Sequence, residues 1–124
     1  MPRVLIADDE ESMRTLVARA VALDGHAIVT AEDGAEALEI LTRENGAFDL
    51  LLTDIKMPVM DGIALALAVA RDFPDLTILL MTGFADQRER AHGLNAIVHD
   101  VVTKPFSVAD IRTAVADALA AKKA

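Results

Sequence analysis

The most constraining feature of this chain is a set of short apolar runs, most of which stop abruptly on a charged or hydroxyl residue. Residues 4–7 (VLIA) run straight into Asp8-Asp9, and residues 49–54 (DLLLTD) carry three consecutive leucines before Asp54. Residues 76–81 (LTILLM) stop at Thr82-Gly83, and residues 97–102 (IVHDVV) at Thr103-Lys104-Pro105. A weaker run, residues 26–30 with Ile28 and Val29, ends in nothing chemical. Runs of this length are strand-sized, and an unbroken apolar stretch such as 50–52 is what a strand buried on both faces needs.

Helical periodicity fills the intervals. Met13, Leu16, Val17, Ala20 and Val21 share one helix face, with Gly25 as the stop. Asp33 is placed to cap the next helix, with Glu36 three residues on, Ala37, Leu38 and Leu41 on its apolar face and Gly46 at its end. Residues 56–62 (KMPVMDG) read as a loop because Pro58 cannot continue a ladder, and residues 62–72 as a helix. Residues 86–95 predict a short, charged helix interrupted by Gly93, and Ser107 with Asp110 opens a last helix faced by Val108, Ile111, Val115 and Leu119. Five strands alternating with five helices predict a doubly wound, flavodoxin-like α/β sandwich with a parallel sheet of order 2-1-3-4-5.

Composition narrows the function. An apolar fraction of 53% over 124 residues, without linker, repeat or low-complexity tract, predicts one folded domain over residues 1–124. The absence of cysteine excludes disulfides and thiolate metal sites. A net charge of −8 argues against a nucleic-acid surface and points to a protein or a cation as partner. No stretch is long enough to span a membrane, and residues 4–7 are too short for a signal-peptide core, so a cytoplasmic location is expected.

In an open α/β sheet of this order, ligands sit at the carboxyl ends of strands 1 and 3. Those ends carry Asp8, Asp9 and Asp54, with Thr82 and Lys104 on the neighbouring strands. Strands lie about 4.8 Å apart, so the three carboxylates would crowd together, each pair costing roughly 3 kcal/mol at ~5 Å and an effective dielectric of about 20. A cation relieves that cost, and an all-oxygen donor set with open positions suits Mg²⁺. A carboxylate beside Mg²⁺ can attack phosphorus. The chemistry therefore assigns Asp54 as nucleophile, Asp8 and Asp9 as metal-positioning groups, and Lys104 and Thr82 as partners of the phosphoryl oxygens.

With Asp8-Asp9, Asp54 in LLTDIKMPVMDG, Thr82 in MTGFAD and Lys104-Pro105-Phe106, the chain resembles the receiver domain of two-component response regulators over essentially its whole length. The resemblance implies phosphorylation of Asp54 by a histidine kinase or a histidine phosphotransfer protein. It also implies Mg²⁺ held by Asp9, Asp54 and the Lys56 backbone carbonyl with Asp8 acting through water, and a cis Lys104–Pro105 peptide. Within the family, the segments TDIKMPVMDGIALA, PDLTILLMTGFAD and NAIVHDVVTKPF look most like the stand-alone CpdR-like cell-cycle receivers of alphaproteobacteria, which implies regulation of ClpXP proteolysis as an output.

One position departs from the family pattern. Receivers usually carry Tyr or Phe three residues before the strand-5 lysine; here it is Val101, whose stiff branched side chain has no ring to bury. Switching would then fall to Thr82 and Phe84, or to displacement of the strand and helix. Phe84 and Lys56 also flank the expected phosphorylation site. The reading is of a phosphoacceptor rather than an enzyme, with no output domain, so that the receiver surface itself binds the partner. Two alternatives remain: a phosphotransfer intermediate without binding output, and a small Mg²⁺-dependent phosphatase of the haloacid-dehalogenase type. The latter places its nucleophile on strand 1 in a DxD spacing that Asp8-Asp9-Glu10 lacks.

Overall fold

The computed structural model of the chain describes residues 2–83 and 93–123. In chain order its elements are β1 (Arg3–Ala7), α1 (Glu11–Ala22), β2 (Ala27–Ala31), α2 (Gly34–Arg43), β3 (Leu50–Asp54), α3 (Gly62–Asp72), β4 (Thr77–Thr82), β5 (Asp100–Thr103) and α4 (Val108–Lys123). The strands form one parallel sheet of order β2-β1-β3-β4-β5, as the alternation of apolar runs and helical periods predicts.

Alternating side chains divide the sheet between two cores. Leu5, Leu51, Ile78 and Leu80 face one way and pack with Ala37, Leu41, Leu65 and Val69 of α2 and α3. Val4, Ile6, Leu50, Leu52, Leu79 and Met81 face the other way and pack with Val17 and Val21 of α1 and with Ile111 and Val115 of α4. The leucine triplet is thus split between the two layers, which is why the run must be apolar without interruption.

Local polar contacts set the helix starts. Asp33 accepts from the Glu36 amide (2.8 Å) and Asp61 from the Ala64 amide (2.8 Å). Ser107 and Asp110 exchange both bonds of a capping box, the Asp110 amide donating to Ser107 Oγ (3.0 Å) and the Ser107 amide to Asp110 Oδ2 (2.9 Å). At the amino end of the sheet, Arg3 donates to the Ala47 carbonyl and to Glu44 Oε1, both at 2.7 Å, and its guanidinium lies 4.3 Å from the Phe48 ring centre. Its own amide donates to Asp49 Oδ2 at 2.8 Å.

Two expectations need amendment. The fifth strand occupies Asp100–Thr103 rather than 97–102. The Ile97 and Val98 amides both donate to the Leu94 carbonyl, and these side chains fill the core from a turn rather than a ladder. An apolar run reports burial, and burial does not require strand pairing. Of the helix expected over 86–95, residues 86–92 lie outside the described residues, and 93–95 belong to a turn that runs to 97. Among the described helices none is long and apolar enough to cross a membrane.

Candidate functional site

Four strand ends converge at the carboxyl edge of the sheet. Ala7 pairs with Thr53, so the next residue on each strand brings Asp8 beside Asp54; Thr82 pairs with Thr103, which leads into Lys104. The Lys104 amide donates to the Thr82 carbonyl at 2.7 Å, and the Lys104–Pro105 peptide is cis. Asp8, Asp54 and Thr82 are buried, whereas Asp9 is exposed. The residues picked from sequence are therefore brought together, with carboxylate oxygens of Asp8, Asp9 and Asp54 all within 4.8 Å of one another.

Among the described residues, one cation lies within 4 Å of these acids. Lys104 Nζ lies 3.3 Å from Asp54 Oδ1 and 3.9 Å from Asp8 Oδ2. Asp54 Oδ1 also accepts from the Ile55 amide (3.0 Å), and Asp8 Oδ1 from the Glu10 amide (3.0 Å). Asp8 Oδ2 is buried with no hydrogen-bond partner. Burial is the main force on both groups and pushes both upward, Asp8 to about 6 and Asp54 above the usual carboxylate range. For Asp8 the Glu10 amide opposes the shift, the Asp54 charge adds to it and Lys104 offsets it. For Asp54 the pull of Lys104 and then the Ile55 amide oppose burial, and Asp9 adds to it.

This donor set fits a hard divalent cation. A buried carboxylate oxygen without a partner costs about 1–3 kcal/mol, more when charged, and a single ammonium leaves two of the three negative charges unbalanced. The acids open onto a cleft of about 490 Å³ whose lining includes Asp9, Glu10, Met13, Asp54, Lys56 and Lys104. The cleft leaves room for a ligand beside the cation site. The chemistry such a site supports is transfer of an anionic group to Asp54, with Lys104 already beside the acceptor.

The loop after β3 is folded back onto the backbone of Asp54. Gly62 Cα approaches so closely that an added Cβ would sit 2.0 Å from the Asp54 carbonyl oxygen, and the Gly62 amide donates to the Ile55 carbonyl (2.7 Å). Thr53 Oγ1 donates to the same Asp54 carbonyl at 2.9 Å. Val59, at the tip of this loop, is held at φ +67° and is largely exposed.

Lys56 stands on the cleft wall, Val101 is half-buried in β5 against the α2/α3 core, and Phe84 lies outside the described residues. Sequence reasoning passed over Arg14, whose guanidinium donates to the Asp8 carbonyl at 2.8 Å and lies 3.8 Å from Glu32 Oε1. The end of the second strand, read as chemically empty, supplies that glutamate. The available signal was a cation in the first turn of a helix, where the dipole disfavours it.

A model of the response regulator receiver domain matches residues 4–116. The response regulator receiver protein CpdR of Brucella abortus is 39% identical over 111 residues, covering 90% of this chain and 91% of that protein. A probable transcriptional regulator, ycf27 of Guillardia theta, is 37% identical over 85% of this chain; the chain spans 40% of its length, and about half of several other curated relatives. Among solved structures, the response regulator TrrA of Thermotoga maritima in complex with Mg²⁺-BeF superposes with a TM-score of 0.82 at 30% identity, covering 94% of this chain and 98% of that one.

Proposed function

Since the chain belongs to the response regulator receiver domain family, we propose that it is a phosphorylation-controlled binding module whose phosphoacceptor is Asp54. The observation that carries this reading is the buried Asp54 carboxylate, set between Lys104 Nζ at 3.3 Å and two further acids. In the transfer step an Asp54 oxygen bonds to phosphorus as the phosphorus–nitrogen bond of a phosphohistidine donor breaks, and the imidazole leaves. Lys104 meets the incoming phosphoryl oxygens as a charge-assisted donor, and Thr82, at the end of β4, donates its hydroxyl to them. Asp8, Asp9, Asp54 and the Lys56 carbonyl are the residues that would hold Mg²⁺, which when bound supplies charge neutralisation for phosphoryl transfer. The TrrA complex with Mg²⁺-BeF supports that assignment by similarity.

The acyl phosphate carries about two negative charges at pH 7 where the free carboxylate carries one, and it adds acceptor oxygens. Drawing Thr82 and Lys104 toward it biases the β4–β5 edge and so changes the affinity of that face for a protein partner. Val101 offers no ring for this movement, which leaves Thr82 and Phe84 as the switch residues of this reading. The donor is a histidine kinase or a histidine phosphotransfer protein. The match to 91% of CpdR supports reading residues 1–124 as one receiver domain. From the resemblance to CpdR-like receivers, the output of this reading is a contact made by the receiver surface in the cytoplasm, with the ClpXP protease as the downstream partner.

Incubation with acetyl phosphate and Mg²⁺ tests the site. The expected result is one phosphoryl group per chain, dependent on Mg²⁺ and absent in Asp54→Asn. Catalytic turnover of a generic phosphomonoester, or labelling that survives the substitution, would overturn the reading in favour of a hydrolase or another acceptor. Capture of ClpX by only one of the two phosphorylation states tests the output.

A further inference from the structure

Arg14 stands in the first turn of α1, where a positive charge is opposed by the helix dipole, and its side chain is only 16% exposed. Burying a guanidinium there must be offset by what it holds. It holds two things: Nη1 donates to the Asp8 carbonyl at 2.8 Å, and Nη2 lies 3.8 Å from Glu32, the residue after β2. The Asp8 amide donates to the Ala31 carbonyl at 3.1 Å, so both sides of the Asp8 backbone are tied toward the β2 corner. The Asp8 carbonyl belongs to the peptide joining Asp8 to Asp9. Fixing that peptide plane fixes the direction in which Asp9 leaves the chain.

Asp9 needs such help more than its neighbours do. Asp8 and Asp54 are buried, and each has an oxygen bonded to a backbone amide. Asp9 is exposed, and among the described residues no hydrogen bond holds its carboxylate. The α1 N-terminus also lacks a side-chain cap: Glu10 occupies the cap position without bonding a helix amide. The turn at residues 8–10 is therefore held by the Asp8 side chain on one side and by Arg14 on the other.

From this geometry we propose that Arg14 is a positioning residue for the cation site, fixing the Asp8–Asp9 peptide and so the aim of the Asp9 carboxylate. The inference rests on the reading of Asp8, Asp9 and Asp54 as a Mg²⁺ site. Groups that orient metal ligands from outside the coordination sphere change metal affinity by about 10–100-fold when removed. Simple electrostatics has the opposite sign, because deleting a nearby positive charge should tighten cation binding.

Calorimetric titration of Mg²⁺ into the full chain separates these. Arg14→Met is expected to weaken Mg²⁺ binding by about tenfold. Arg14→Lys, which keeps the charge but loses the planar fork, should fall between that variant and wild type. Arg3→Met is the control, because Arg3 likewise grips a carbonyl and a glutamate but at the far end of the sheet. It should lower the melting temperature and leave Mg²⁺ affinity unchanged. Wild-type or tighter affinity in Arg14→Met overturns the inference alone, whereas absence of Mg²⁺ binding by the wild-type chain overturns the site reading with it. If the methionine variant does not fold, the lysine variant decides: weaker binding supports the positioning role, and unchanged affinity overturns it.

Discussion

The two ends of β1 are built from the same materials and left in opposite states. At the amino end, Arg3 meets a carbonyl, a glutamate and the Phe48 face, and its amide meets Asp49. At the carboxyl end, Asp8 and Asp54 are buried with one lysine between them, and an Asp8 oxygen has no hydrogen-bond partner. The first end contributes stability at once. The second withholds it until something positive arrives, and that contrast separates scaffold from site: the half-exposed charges are the satisfied ones and the buried charges are not.

Replacing Asp8 tests the withheld end with the largest expected effect. A carboxyl raised to about 6 in the folded chain, against 3.8 unfolded, binds more protons in the native state. Its favourable contribution is complete below about pH 4 and is lost as pH rises through 6. Metal-free Asp8→Asn should therefore match wild type near pH 4 and exceed it by about 3 kcal/mol at pH 7, read from urea unfolding at both pH values. Mg²⁺ should narrow or reverse that gap. An equal gap at the two pH values would show that the Asp8 charge is already compensated in the metal-free chain.

Arg3→Met tests the satisfied end, with an expected loss of about 1–2 kcal/mol in urea unfolding, independent of Mg²⁺. A Mg²⁺-dependent loss would join two ends that the structure keeps apart. The smallest effect is expected at Val59, a branched residue held at φ +67° on the loop beside the site. Val59→Gly should raise stability by about 1 kcal/mol by relieving that strain, and should leave phosphorylation by acetyl phosphate intact.

The sequence made the strand-end chemistry readable because a parallel sheet converts chain position into spatial position. Once Leu50, Leu51 and Leu52 mark the central strand, Asp54 must stand at its carboxyl end and Asp8 beside it. The caps at Asp33 and Ser107 were equally legible, since a cap is decided within four residues. Contacts that depend on packing were not. Ile97 and Val98 look like strand residues yet pack against the core from outside the ladder, Val98 buried and Ile97 partly so, and the bond from Arg14 to the Asp8 carbonyl depends on how α1 leaves the sheet. The near-contact of Gly62 with the Asp54 carbonyl is of the same kind, since the sequence offers only a glycine at a helix start.

The cluster assembles from segments widely separated in the sequence: Asp8 just after β1, Asp54 at the end of β3, and Lys104 just after β5. Without β5, the acids at the ends of β1 and β3 would stand together without the ammonium that faces them. Mutual repulsion then opposes closing that corner, and docking of β5 brings in the only lysine that reaches both buried acids among the described residues. All three carboxylates stand at the ends of β1 and β3, so a divalent ion held among them would favour the pairing of those two strands by mass action. Such an ion would tie the closing of one strand pair to the readiness of the site, before the lysine of the neighbouring edge is in place.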